Sequence, residues 1–133
     1  MNSKSKLRNT IKSFLILSLL PIVSCSKSDD GASSTASINP PEWIQGTWLS
    51  STNGFRFTQN DFVSIVLNTE TSHKGLLDLS SKDASTDEVK TDGTYNLKMT
   101  FTAGQSTTYE FSRKSESVIV WENHVLNPEY IKQ

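Results

Sequence analysis

Cys25 is the single cysteine in 133 residues, and its thiol is the only soft nucleophile the chain carries. Ser24, directly before it, is small, so the peptide bond between the two can enter a protease active site. No second cysteine exists to form a disulfide within the chain. The other residues that could do chemistry are scattered. His73 and His124 stand 51 positions apart, and neither has a partner at metal-ligand spacing. Each reads as a solvent-exposed or capping histidine. Asp83, Asp87, Glu88 and Asp92 form an acidic stretch, but it lacks the alternating ligands, glycine and closing Glu of a calcium loop. It reads as a solvated loop. No serine sits in a nucleophile elbow and no glycine-rich phosphate loop occurs. These residues point away from an enzyme, and no metal or cofactor is expected.

The surroundings of Cys25 have three parts. Lys4, Lys6, Arg8 and Lys12 make a basic front. Phe14 to Val23 is an apolar run interrupted by Ser18 and Pro21, too short to span a bilayer, which takes roughly 20 residues. It suits the apolar region of a signal peptide. The stretch Leu19-Leu20-Pro21-Ile22-Val23-Ser24-Cys25 resembles the lipobox of bacterial lipoproteins. The resemblance implies cleavage between Ser24 and Cys25, a diacylglycerol thioether on Cys25, and a further acyl chain such as palmitate on the freed amine. The alternative is a plain secretory signal that happens to contain a cysteine. Lys27-Ser28-Asp29-Asp30 is similar to the acidic export signal of lipoproteins in the Bacteroidetes, which directs them to the outer face of the outer membrane. Ordinary linker charge is the other reading of that run. The expected location is the bacterial outer membrane, lipid-anchored, facing the periplasm or the cell surface.

Loss of residues 1–24 removes four of the 13 basic residues, leaving 9 against 14 acidic ones and a net charge of −5. Such a surface gives no reason to expect nucleic acid, which requires a basic stripe. Residues 25–41 read as the lipidated cysteine and a tether. Ser26 to Pro41 contains no aromatic residue and only one large apolar residue, Ile38, too little to offset its chain entropy. As a coil it spans about 20 Å, and Pro40-Pro41 stiffens its end.

From residue 42 to 133 the pattern is mainly β. Tyr95, Leu97, Met99 and Phe101 alternate with polar residues, as do Tyr109 and Phe111, and Phe55 and Phe57 flank Arg56. Phe62–Leu67 and Val118–Trp121 are nearly continuous apolar runs. Asn53-Gly54 and Asp92-Gly93 are tight-turn signals. The expectation is an antiparallel meander of about seven strands. Ser72 to Lys82 reads as a short helix capped by Ser72, with a strand as the alternative. Ala84–Glu88 reads as a surface loop.

Trp43-Ile44-Gln45-Gly46-Thr47-Trp48 resembles the Gly-x-Trp opening of lipocalin-like β-barrels. The resemblance implies a small barrel or half-open barrel, with Gly46 bending the chain at its entry and Trp48 plugging the closed end. The later lipocalin motifs are missing. Trp48, Phe55, Phe57, Phe101, Phe111 and Trp121 either line a pocket for a small hydrophobic ligand or form the core, which a domain of this size needs. Two partners besides the membrane follow: a small apolar ligand in a cavity, or an envelope protein that docks on a module with a filled core.

Overall fold

The computed structural model describes residues 36–80 and 83–133. The signal segment 1–24, the cleavage pair Ser24–Cys25 and the tether up to residue 35 lie outside the described residues, as do positions 81 and 82. At the start of the first strand Gly46 takes φ +126°, a conformation that side chains disfavour. It turns the chain from a short 3-10 turn at Glu42–Ile44 into β1 (Gly46–Leu49). Trp48 then faces inward, fully buried, and its Nε1 donates to the Ile44 carbonyl at 2.6 Å.

The described residues form nine antiparallel strands. After β1 come β2 (Asn53–Phe57), β3 (Phe62–Val66), β4 (Thr69–Ser72), β5 (Ser85–Lys90), β6 (Thr94–Thr100), β7 (Ser106–Ser115), β8 (Val118–Trp121) and β9 (Glu129–Lys132). Their order in the single sheet is β4-β3-β2-β1-β9-β8-β7-β6-β5. The sheet curls into a half-barrel whose two edge strands, β4 and β5, do not pair with each other. The meander of about seven strands therefore becomes nine. Two of the additional strands, β4 and β5, are polar edge strands, and β9 is only four residues long. Ala84–Glu88 was expected as a surface loop, and all of it but Ala84 instead lies in the edge strand β5 (Ser85–Lys90).

Because neighbouring strands are antiparallel, the connections fall at two ends. The mouth carries the 50–52 turn, the 67–68 turn, the 101–105 connection and the 122–128 loop. The foot carries the 58–61, 91–93 and 116–117 turns. Asn53-Gly54 is not a turn; both residues lie in β2. Glycine is needed at position 54 for another reason: a Cβ there would collide with the Trp48 carbonyl and the Leu49 side chain of the neighbouring strand. Leu67 and Asn68 instead make the β3–β4 turn with positive φ at both positions, the geometry that suits the twist of a hairpin.

The short helix is present as α1 (His73–Leu79), leading from the foot end of β4 towards the mouth. The Ser72 hydroxyl accepts from the Gly75 N–H at 2.9 Å, as expected of an N-cap. Asp61 completes the cap by accepting from the Lys74 N–H and the Ser72 hydroxyl. Leu77 is fully buried.

The domain begins earlier than position 42. Ala36, Ile38 and Pro40 are buried, and Ile38 joins the core. This N-terminal arm runs parallel to β5 from mouth to foot. The Ser37 carbonyl accepts from the Thr86 hydroxyl at 2.6 Å, and the Asn39 N–H donates to Glu88 Oε1 at 2.9 Å. Alternate apolar residues pack while the backbone finds polar partners, so six residues assigned to the tether belong to the fold.

Candidate functional site: the mouth of the half-barrel

The interior is built from rings. Phe57 and Phe62 stack at 5.1 Å, Phe55 meets Phe111 edge-on at 5.1 Å, and Phe55 lies 4.8 Å from Tyr130. Trp48, Phe55, Phe57 and Phe111 are buried among them, while Phe101 and Trp121 are half-buried at the margin. Of the six aromatic candidates, four are core. Phe55 and Trp121 also line a cleft.

That cleft opens at the mouth between the β2–β3 hairpin and the β7–β8 pair. Phe55, Ile65, Val66, Tyr109 and Trp121 line it, with the Asn53 amide and Ser64 hydroxyl as its polar groups, and it holds about 170 Å³. Tyr109 and Trp121 stack at 5.5 Å to form one wall. Trp121 Nε1 donates to Asn123 Oδ1 at 2.7 Å, and His124 packs on the indole at 4.6 Å. Burial pushes the phenols of Tyr109 and Tyr130 up, and the Asn53 side chain beside Tyr130 offsets part of the effect there. A second hollow of about 250 Å³ lies beside the 50–52 turn, lined by Leu49, Asn53, Ile65 and Leu67. No charged residue lines either space. The chemistry they offer is apolar contact with one amide or hydroxyl to orient it.

Of the two histidines, His73 departs from expectation and His124 does not. His73 is 6 % exposed, stacks on Phe62 at 4.3 Å and places Nε2 at 3.2 Å from the Ser64 hydroxyl. Its Nδ1 is buried without a hydrogen-bond partner among the described residues. Burial holds its pKa down at about 4, with Asp61 opposing weakly. His124 is half-buried against Trp121, and its Nδ1 accepts from the Leu126 N–H at 3.2 Å, the capping role that was the alternative to exposure. The acidic stretch does not converge either. Glu88 turns inward to accept from the Tyr95 hydroxyl at 2.7 Å and to pair with Lys90 at 2.9 Å, while Asp83, Asp87 and Asp92 are exposed. Among the described residues no three His, Cys, Asp or Glu side chains gather as a metal site would require. No described helix is long and apolar enough to cross a membrane.

Sequence reasoning missed Tyr109, Ile65 and Val66 as cleft residues. Tyr109 was within reach, because it sits two positions from Phe111 on the same face of β7. Comparison with known proteins gives no relative: no family model, no curated protein and no solved structure matches the chain.

Proposed function

We propose that this chain is a lipid-anchored protein of the bacterial cell envelope whose β half-barrel is non-catalytic and works through the surface of its mouth. Two features support the reading. The lipobox-like stretch ending at Cys25 gives the anchor. The packing of Phe55, Phe57, Phe62, Phe111 and Tyr130 gives the mode of action, because rings 4.8–6.2 Å apart occupy the volume a lipocalin-type ligand would need. The cleft of about 170 Å³ and the hollow of about 250 Å³ beside it each fall below the roughly 300 Å³ at which pockets start to enclose small molecules. A site of that size receives a group presented by a larger partner.

Metabolic labelling with a fatty acid tests the anchor. Cys25→Ala should abolish incorporation and leave the precursor uncleaved, whereas a labelled Cys25→Ala chain would sink the proposal. Native purification of the mature chain tests the mode of action. The expected preparation carries no small molecule; a stoichiometric co-purifying lipid would restore the enclosed-ligand reading.

A further inference from the structure

The two ends of the half-barrel differ in what they show to the outside. The foot turns are Thr58-Gln59-Asn60-Asp61, Thr91-Asp92-Gly93 and Glu116-Ser117, polar throughout. The mouth presents Leu67 at 75 % exposure, Val125 at 97 % and Leu126 at 80 %, with the exposed Val66 beside them. Scattered exposed apolar residues are ordinary on protein surfaces. Here they occupy the tips of two mouth connections and flank the aromatic cleft, whose lining includes Val66 on one side and Trp121 on the other. The four hairpin connections at the mouth, 50–52, 67–68, 101–105 and 122–128, contain one formally charged residue, Glu122, and the α1–β5 link that also ends there adds the exposed Asp83.

The N-terminal arm adds direction. Ser37 lies beside Thr86 and Asn39 beside Glu88, so the arm descends from mouth to foot and Ala36 stands at the mouth. Eleven residue steps separate Cys25 from Ala36, and whatever their conformation they reach at most about 40 Å. The chain from Cys25 thus enters the domain at the end that carries the exposed leucines and valine.

The geometry points to a second membrane contact: Leu67, Val125 and Leu126 enter the lipid interface beside the acyl anchor and seat the half-barrel mouth-down. The inference rests on the lipid-anchor reading and names the partner of the mouth as the lipid surface itself. Tyr109 and Trp121 then lie at the depth where such rings favour the boundary between headgroup and acyl chain. The residues that enter, Leu67, Val125 and Leu126, are uncharged, so this contact is apolar, holds on zwitterionic lipid and resists salt.

The test uses the acylated full chain in phosphatidylcholine vesicles that carry a nitroxide-labelled lipid as quencher. An introduced cysteine is the only free thiol in such a chain, because the native one is held as a thioether. A fluorophore is attached through Val125→Cys at the mouth or Glu116→Cys at the foot. The mouth label should be quenched several-fold more strongly than the foot label, and equally so in high salt. Combining Leu67→Asp with Leu126→Asp should bring the mouth label down to the foot level. Equal quenching at both ends on an acylated chain overturns the mouth-down seating and leaves the anchor standing. Absence of acyl chains on Cys25 in the same preparation overturns both.

Discussion

His73 shows how one side chain can tie stability to pH without taking part in any reaction. In the unfolded chain it titrates near 6.5, and in the fold burial holds it down at about 4. Between those values the unfolded state binds the proton and the folded state does not. Stability is therefore complete above pH 6.5 and falls as the pH drops towards 4, by roughly 3 kcal/mol at this single position. His73→Phe keeps the stack on Phe62 and removes the proton. The difference in unfolding free energy between wild type and variant, followed by urea denaturation from pH 7 to pH 4, should shrink by about that amount; a constant difference would show that His73 is not buried neutral. Nothing in the sequence marked this histidine, because its burial comes from Phe62 eleven positions earlier and from Tyr109 across the half-barrel. Phe55, Phe57 and Phe111 were legible because each sits at a period-two position in its own strand and local alternation is enough to assign a face, whereas Trp48 was read from the Gly-x-Trp resemblance.

At the scale of elements, what the sequence concealed was polar. β4 reads Thr-Glu-Thr-Ser, and β5 carries three acidic or basic residues in its six. Strands at a sheet edge need one partner and little apolar surface, so alternation fades there. The arm was hidden for the opposite reason. Ala36, Ile38 and Pro40 alternate correctly, but they stand among serines and prolines that read as linker. Its contribution is measurable. Ile38 is 1 % exposed, and truncating such a side chain costs about 2–5 kcal/mol. Ile38→Ala in the mature chain should lower the urea midpoint accordingly, and a loss below about 0.5 kcal/mol, the size of an ordinary surface substitution, would mean that the arm is not part of the fold. Helix α1 was readable from Ser72 and the leucines, yet Asp61, which completes its cap from the other end of a hairpin, was not.

For the whole molecule the antiparallel meander and the half-open barrel were both foreseen, and the strand that joins its two halves was not. β9 joins the two halves: it pairs with β1 on one side and β8 on the other, and its Tyr130 is fully buried in the aromatic core. A strand of four residues after a proline gives little periodic signal, so its central position could not be read from the chain. Deleting Glu129–Gln133 leaves one four-stranded group, β4 to β1, and another, β8 to β5, with nothing between them. The truncated chain should lose the near-ultraviolet circular dichroism of its packed rings. A native-like spectrum would show that the halves can close without β9.

The position of β9 also sets a clock. Leu49 and its partner Ile131 lie 82 residues apart, and a ribosome adding about 5–20 residues per second needs roughly 4–16 s to cover that interval. Until Ile131 emerges, β1 is an unpaired edge and the sheet cannot be completed. A nascent chain built in this order keeps its sheet open while residues 50–130 are made, so the half-barrel can shut only after β9 emerges.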